Sequence, residues 1–341
     1  MNEKSKRGRA TGRVTLNDVA RSAGVSPITA SRALRDVSSV DPVLAQRVHE
    51  AALQLHYAPD PAAQALASSR SRSVVVLVPS FTNTVFAALL ESLNAALRAQ
   101  GFHILLGDTH YNHDDEERLL RSYLMHNPSG VIVTGFDRNE STRRLLQLGG
   151  IPCVHVMEVS SAPGVYSVGF SQRESGYAMT RYLLEKGARR IVYAAAQLDT
   201  RAMQRAEGYR RAMRDAGCYD AALEFLSPSP TSLGLGTQMF RQIREQHPGA
   251  DAIFFCNDNL AHGGLLEALR MGVRVPQDIK IVGFNDVDES RHTVPRLTTV
   301  ATPREEMGRR AADMLIALMQ GKPVLEPCVD LGFQLAVRDS A

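Results

Sequence analysis

Two different spacings of apolar residues divide the chain into a short N-terminal part and a long C-terminal part. Between residues 14 and 58 the apolar positions recur at helical spacing in three short runs. The runs begin at Thr15, at Ser26-Pro27 and at Asp41-Pro42, all of which are favourable helix starts. Gly24 separates the first two runs, so we predict a helix-turn-helix followed by a third helix.

From Ser73 onward, short apolar runs rich in β-branched residues alternate with longer stretches of helical periodicity. This alternation is typical of parallel sheets that are covered by helices on both faces. The predicted fold class is therefore α/β, with an all-α helix-turn-helix domain at the N-terminus. The predicted strands are Val74–Val78, His103–Leu106, Val131–Thr134, Cys153–Val156, Val165–Gly169, Arg190–Ala195, Ala252–Cys256 and Lys280–Phe284.

The charge distribution distinguishes the two parts of the chain. Residues 1–72 hold 11 Lys and Arg against 6 Asp and Glu, whereas the remaining residues hold 28 against 30. A basic head on a mildly acidic body favours a polyanionic partner for the head, although a solvated basic tail would have the same composition. No run of about 18 apolar residues is present, so we expect no membrane partner. The charged N-terminus lacks the apolar stretch of a secretory signal, which favours the cytoplasm.

The chemistry-bearing residues do not form a recognisable catalytic or metal site. The four cysteines make no CxxC pair, and three of them lie in apolar runs that are typical of buried, reduced thiols. No glycine-rich phosphate-binding motif opens a helix, so neither a dinucleotide nor a nucleoside triphosphate is expected. We therefore predict no catalytic residue, no metal and no cofactor, and we expect a binding protein rather than an enzyme.

The order of motifs in the head resembles that of the lactose-repressor (LacI/GalR) family. The resemblance rests on Val14-Thr-Leu-Asn-Asp-Val-Ala20, Ala23-Gly-Val-Ser26, Thr29-Ala-Ser-Arg32 and Tyr57-Ala-Pro59. It implies a two-lobed periplasmic-binding-protein-like α/β effector domain behind the DNA-binding head. The implied domains are a disordered basic tail (1–13), a helix-turn-helix domain (14–58), a hinge helix and linker (59–72), and an effector-binding and dimerisation domain (73–341). Lobe one would comprise 73–170 and 296–328, and lobe two would comprise 171–295.

The resemblance also implies how the head contacts operator DNA. Pro27, Ile28 and Arg32 match the base-reading positions, where only Arg32 can donate hydrogen bonds to a base edge. Leu66 matches a residue that wedges between base pairs in the minor groove, and Ala63 matches a small neighbour of that wedge. The implied phosphate contacts, which position the protein without specifying sequence, are Thr15, Ser26, Thr29 and Ser31.

In the body, the resemblance implies an effector site in the cleft between the lobes. Most of the candidate residues follow predicted strands, where open α/β sheets bind their ligands. Arg205 is suited to a carboxylate or to vicinal hydroxyls because its guanidinium group donates in a fork. The full set of candidates is Ser80, Asn83, Phe86, His110, Glu158, Arg205, Asn257, Asp258, Asn285, Thr302 and Arg304.

A finer resemblance is to the regulators of gluconate and 2-ketogluconate use. It rests on Val78-Pro-Ser-Phe-Thr-Asn83, Ala194-Ala-Ala-Gln-Leu-Asp199, Thr302-Pro-Arg304 and Asp330-Leu-Gly-Phe333. The stretch from Val14 to Ser31 and the segment Val168-Gly-Phe-Ser-Gln172 resemble in particular the 2-ketogluconate-responsive members in pseudomonads. The resulting hypothesis is a homodimeric repressor that a small sugar acid, 2-ketogluconate first, releases from double-stranded operator DNA. Gluconate or another sugar as effector, an effector that promotes DNA binding, and a solute-binding protein without gene control stay open as alternatives.

Overall fold

The computed structural model describes residues 14–34, 40–58 and 71–341. The chain forms two compact units, Met1–Ser71 and Arg72–Ala341. The predictions for the basic tail (1–13) and for the hinge helix, including Ala63 and Leu66, lie outside the described residues.

The first unit contains the predicted helix-turn-helix and third helix. The described residues of this unit form the helices α1 (Leu16–Ala23), α2 (Pro27–Ala33) and α3 (Pro42–Gln54). Side chains at the predicted starts cap α2 and α3: Ser26 Oγ accepts from the Thr29 backbone N–H at 3.1 Å, and Asp41 Oδ1 accepts from that of Val43 at 2.9 Å. The three helices bury one small core made of Val19, Ala20, Ala23, Ala30, Ala33, Val48, Ala51 and Ala52.

The turn between α1 and α2 depends on a glycine and on an arginine of the third helix. Gly24 ends α1 with φ +66°, a left-handed conformation that glycine adopts without strain. Arg47 Nη2 of α3 donates to the Ala23 carbonyl at 2.7 Å and so satisfies a helix-end acceptor. Local sequence and a tertiary contact therefore hold α2 at a defined angle to α1.

The second unit alternates strands and helices as predicted. Its helices are α4 (Val85–Ala99), α5 (His113–Leu124), α6 (Glu140–Leu148), α7 (Gln172–Glu185), α8 (Thr200–Asp215), α9 (Leu233–Gln246), α10 (Asp258–Arg270) and α11 (Arg304–Met319). Its strands are β1 (Ser73–Val78), β2 (His103–Asp108), β3 (Gly130–Thr134), β4 (Cys153–Val156), β5 (Ser167–Gly169), β6 (Ile191–Ala196), β7 (Glu224–Ser227), β8 (Ala252–Phe255), β9 (Lys280–Asn285), β10 (Thr298–Ala301), β11 (Cys328–Asp330) and β12 (Gln334–Ala336).

These strands form two six-stranded sheets, one in each lobe. The order in lobe one is β11-β5-β4-β3-β1-β2, and the order in lobe two is β12-β10-β9-β8-β6-β7. Every pairing is parallel except the antiparallel pair β10 and β12. The central strands are continuous apolar runs, as expected for strands that are buried on both faces. The predicted fold class, an all-α head with a two-lobed α/β body, is confirmed.

The lobe boundaries near the C-terminus differ from the prediction. The family resemblance places residues 296–328 in lobe one, but β10 pairs with β9 in the sheet of lobe two. The chain returns to lobe one only with α11, which packs on α4 and β4, and with β11. It then crosses once more, so that β12 lies in lobe two. The local pattern does not predict which sheet a strand joins, because that depends on pairing with strands far away in the chain.

Two glycines allow α7 and α8 to approach closely. A Cβ atom at Gly208 would lie 2.1 Å from the Arg173 carbonyl oxygen, and one at Gly176 would lie 2.4 Å from that of Arg205. We expect Gly208→Ala to lower the free energy of unfolding by about 3 kcal/mol, because the two backbones must separate. Gly234→Ala is the matched control, since a Cβ there meets no atom closer than 4.0 Å. Equal urea midpoints for the two variants would contradict the prediction.

A half-buried histidine in lobe one makes stability depend on pH. His155 Nδ1 lies 2.9 Å from the Gly135 carbonyl and 3.2 Å from Arg138 Nη1, and the ring stacks on Phe136. Burial, together with Arg138, lowers the pKa of His155 to about 4. The unfolded chain, with a histidine pKa of about 6.5, therefore takes up a proton before the folded chain does. This contribution to stability is present above pH 6.5 and is lost as the pH falls towards 4.

We expect His155 to lower the free energy of unfolding by about 2 kcal/mol when the pH falls from 7 to 5. The expected slope is about 1.4 kcal/mol for each pH unit below 6.5. Urea titrations of the wild type and of His155→Gln at both pH values measure it, with the exposed His103 replaced in the same way as control. The difference in stability between wild type and His155→Gln should move in favour of the variant as the pH falls. A difference that is independent of pH would rule the effect out.

Candidate DNA-binding face and effector cleft

The predicted base-reading residues lie together on the outer side of α2. Pro27, Ile28 and Arg32 are exposed, and the Ile28 side chain is exposed by 66%. Ala30 and Ala33 of the same helix are buried against α1 and α3. The apolar Ile28 therefore has no packing role within the described residues, and this face is available for contact with a groove.

The predicted phosphate-contacting hydroxyls lie at or near the N-termini of α1 and α2. Thr15 Oγ1 donates to Asp18 Oδ2 at 2.7 Å, and Ser26 Oγ lies 2.9 Å from Thr29 Oγ1. Ser31 is half-buried one turn further along α2. The hydroxyl groups of Thr15, Ser26 and Thr29 thus take part in hydrogen bonds at the helix starts. The free backbone N–H groups in the first turn of a helix can bind an anion such as phosphate. Phosphate contact by these residues stays a prediction.

In the second unit, three adjoining cavities open between the lobes, and Tyr111 and Gln197 line all three. The inner chamber, of about 40 Å³, lies against Phe86, Arg205 and Asn285. The outer chamber, of about 200 Å³, is lined by residues that include Glu116, Asp137, Glu158 and Arg201. The mouth, of about 280 Å³, is lined by residues that include Ser80, His110 and Asn259.

Eight of the predicted effector residues line these cavities. Asn83, Phe86, Arg205, Asn257 and Asn285 line the inner chamber, and Glu158 lines the outer chamber. Ser80 and His110 line the mouth together with Asn83. Six of these residues end or follow strands of the two lobes, where open α/β sheets bind ligands, whereas Phe86 and Arg205 lie within α4 and α8. Whether they contact an effector stays a prediction.

The other three predicted residues have different places. Asp258 is 1% exposed and lies in the core of lobe two, where it accepts from Thr299 Oγ1 at 2.6 Å and from the Val287 N–H at 2.9 Å. Burial raises the pKa of Asp258, and these hydrogen bonds oppose the shift. Asp258 begins α10 directly after the N-cap Asn257, so one residue faces the cleft and the next faces the sheet.

Thr302 and Arg304 lie at the crossover between the lobes, because β10 remains in lobe two up to Ala301. Thr302 Oγ1 donates to the Asn285 carbonyl at 3.3 Å. Arg304 Nη1 donates to the same carbonyl, and its Nη2 donates to the Asp286 carbonyl at 3.0 Å. These side chains hold the backbone beneath the cleft and line none of the three cavities, so effector contact by Thr302 and Arg304 stays a prediction.

Arg205 is held in place from three sides. Its Nε donates to Gln172 Oε1 at 2.8 Å, and its Nη1 donates to the Cys256 carbonyl at 2.5 Å. The guanidinium group lies 3.8 Å above the ring of Phe284. Ordered donors of this kind bind a planar anion with little loss of side-chain entropy.

The structure adds cleft residues that the sequence prediction missed. Asp199 and Arg201 line both the inner and the outer chamber, and Arg201 Nη2 donates to Asp199 Oδ2 at 2.7 Å. Burial opposes ionisation of both residues, but Arg201 and Arg205 lower the pKa of Asp199, while Asp199 and Glu158 raise that of Arg201. The available signal was position, since Gln197-Leu-Asp199 follows β6.

Backbone strain also concentrates at the cleft. Left-handed φ angles occur at His110 (50°), Tyr111 (55°), Met157 (74°), Gln197 (68°) and Asn285 (117°). Such conformations cost about 1–3 kcal/mol each and collect where function constrains the backbone. Each of these residues ends a strand or follows one within three residues, and their side chains line the cavities.

Two side-chain hydrogen bonds cross the cleft from lobe two to lobe one. Thr200 Oγ1 donates to Asp137 Oδ2 at 2.6 Å, and Gln204 Nε2 donates to Glu158 Oε2 at 3.0 Å. Both donors belong to the first turns of α8, which also carries Arg205. The lobes are therefore held together on the side of the outer chamber.

Neither a membrane span nor a metal cluster is found in the part of the chain that the structure describes. None of its helices is long and apolar enough to cross a bilayer. Its His, Cys, Asp and Glu side chains form no group of three that could hold a metal ion.

Comparison with known proteins places both parts of the chain. Residues 15–60 match the family model "Bacterial regulatory proteins, lacI family", and residues 180–341 match "Periplasmic binding protein-like domain". The chain is 53% identical over 335 residues to the HTH-type transcriptional regulator GntR of Pseudomonas aeruginosa, covering 98% of each chain.

Two solved structures of bacterial transcription regulators are also similar to this chain. The transcription regulator GntR from Chromobacterium violaceum is 43% identical with a TM-score of 0.77, covering 79% of this chain and 98% of that one. A LacI-family regulator from Silicibacter pomeroyi is 33% identical with a TM-score of 0.89, covering 96% and 99%. The helix-turn-helix, the two-lobed body and these relatives together show that this chain belongs to the LacI family of bacterial regulatory proteins.

Proposed function

We propose that this LacI-family regulator represses genes of sugar-acid catabolism and is released from its operator by a small sugar acid, 2-ketogluconate first. The observation that carries the ligand class is the buried, ordered guanidinium group of Arg205 in the inner chamber. Asn83, Asn257 and Asn285 line the same chamber and can bind hydroxyl groups. The sequence resemblance to regulators of gluconate and 2-ketogluconate use supports the choice, as does the 53% identical relative named GntR.

The protein acts as a homodimer in this proposal, with its two-fold axis on a pseudo-palindromic operator in the cytoplasm. Effector and operator are then coupled through one equilibrium between dimer conformations, and the ligand shifts it by its difference in affinity for the two conformations. The α2 face presents Arg32 and Ile28 to the major groove, and the cleft lies where the two lobes meet. Closure of the lobes on the ligand is the step that links the two sites.

Gluconate is the second candidate effector, since it carries the same carboxylate and differs by a hydroxyl in place of the keto group. The Asn side chains of the inner chamber can donate to a carbonyl and accept from a hydroxyl, so they suit either ligand. A solute-binding role without gene control is disfavoured by the exposed α2 face of the head.

The test measures binding of the full chain to DNA from its own promoter at fixed salt, with and without each sugar acid. Weaker binding with 2-ketogluconate supports the proposal, and weaker binding with gluconate alone reassigns the effector. Tighter binding with either acid would reverse the proposed direction of control. No change with either acid would refute the sugar-acid assignment, and a neutral sugar as negative control should leave the affinity unchanged.

A further inference from the structure

The inner and outer chambers differ in charge. Two arginines, Arg201 and Arg205, line the inner chamber, and Asp199 is the carboxylate among its lining residues. Four carboxylates line the outer chamber: Glu116, Asp137, Glu158 and Asp199. Arg201 is the arginine that lines the outer chamber, and it is already paired with Asp199. An anionic group is therefore favoured in the inner chamber and disfavoured in the outer one.

One carboxylate oxygen in the outer chamber has no donor. Glu158 is 6% exposed; its Oε2 accepts from Gln204, but its Oε1 is buried and makes no hydrogen bond. Arg138 pairs with Glu116 and Arg201 pairs with Asp199, whereas Glu158 has no ion pair with any described residue. A buried acceptor that lacks a donor is costly, so a ligand that supplies one gains affinity at this position.

The fold packs this oxygen against bare backbone at the edge of the chamber. Gly135 follows β3, and a Cβ atom there would lie 2.3 Å from Glu158 Oε1. With φ +64°, this glycine also has a conformation that other residues adopt only with strain. A bare backbone thus lies beside the carboxylate, and the Glu158 side chain lines the cavity of about 200 Å³.

We propose that the effector binds in one orientation, with its carboxylate in the inner chamber at Arg205 and its hydroxylated chain in the outer chamber, where the Glu158 carboxylate turns its buried Oε1 towards the ligand and accepts from a hydroxyl. This orientation rests on the proposed function, because it takes the ligand to be a sugar acid. Arg201 lies at the junction of the two chambers, where it lines both. Glu158 selects for a hydroxylated chain in this arrangement, and Arg205 selects for the acid group.

The experiment measures binding of gluconate and of gluconate analogues that each lack one hydroxyl, by calorimetry on the full chain. Wild type should lose about 10-fold to 100-fold in affinity for at least one analogue, the range expected for a hydrogen bond to a charged group. In Glu158→Leu the acceptor is absent, and the same analogue should bind within about threefold of gluconate. Glu158→Gln offers a neutral acceptor and should fall between the two.

Glu207→Gln is the matched control, because Glu207 lies on the exposed face of α8 and pairs with Arg173 outside the cleft. It should discriminate among the analogues as wild type does. Thermal unfolding of each variant checks that the chain folds, and Glu158→Gln keeps the test valid if Glu158→Leu does not fold.

The possible outcomes distinguish failure of the proposed ligand orientation from failure of the proposed function. If wild type binds neither gluconate nor 2-ketogluconate, both proposals fail. If wild type binds but Glu158→Leu and Glu158→Gln discriminate as wild type does, only the orientation is overturned. Tighter binding of gluconate by Glu158→Gln would also overturn it, since that result places the ligand carboxylate in the outer chamber.

Discussion

Arg205→Ala is expected to lower the affinity for the sugar-acid effector by at least about 100-fold and to abolish release from the operator. The reason is that Arg205 is a buried cation that lines the inner chamber. Removing one partner of a buried ion pair, here the arginine that would bind the ligand carboxylate, costs several kcal/mol of binding free energy. The measurement is calorimetric titration of effector into the full chain, followed by operator binding with saturating effector. Operator affinity without effector should stay near that of wild type, because the head is a separate compact unit.

Arg211→Ala is the control for this prediction. Arg211 lies on the same helix but pairs with Glu174 on the surface, where an ion pair contributes little. Arg205→Lys tests the geometry, because lysine keeps the charge but cannot replace the hydrogen bonds to Gln172 and Cys256 together. If Arg205→Ala binds the effector as tightly as wild type does, Arg205 does not contact the effector and the prediction is wrong.

Arg32→Ala is expected to lower operator affinity by about 10-fold to 100-fold, with a much smaller loss on non-specific DNA. Arg32 is exposed on the α2 face, and a bidentate arginine–guanine contact contributes about 1–3 kcal/mol of discrimination. Competition between operator and random DNA at fixed salt measures the ratio of the two affinities.

Arg21→Ala removes another exposed arginine, which lies in α1 and pairs with Asp18 at 3.4 Å. It is expected to change both affinities slightly and by similar factors, as loss of a charge near phosphates does. An equal loss on operator and random DNA in Arg32→Ala would mean that Arg32 contacts a phosphate rather than a base.

The head shows how far a local pattern reaches. Helical spacing, the caps at Ser26 and Asp41, and the turn at Gly24 predicted three helices that the structure contains. Each of these signals acts within a few residues, so it can be read without knowledge of the rest of the chain. The contact from Arg47 to the α1–α2 turn is different, since it joins residues 24 positions apart and has no local signature.

In the body, the alternation of periods predicted the α/β class, and position after a strand indicated part of the cleft, including Asn257, whereas Arg205 was indicated by the family resemblance. The pattern could not assign β10 to a lobe, because its partners β9 and β12 are chosen by long-range pairing. It could not separate Asn257 from Asp258 either, although one lines the inner chamber and the other lies in the core.

What the sequence determined by itself, therefore, is the type and order of the elements and the membership of the LacI family, because periodicity, capping and motif spacing are local properties. Only the tertiary structure decided which polar residues meet. In the tertiary structure, Asp199 and Arg201 lie at the junction of the chambers, and Thr302 and Arg304 lie at the crossover between the lobes. Glu158 Oε1 has no hydrogen-bond donor there. Those placements follow from sheet order and from left-handed turns at strand ends, and both depend on contacts between residues that are distant in the chain.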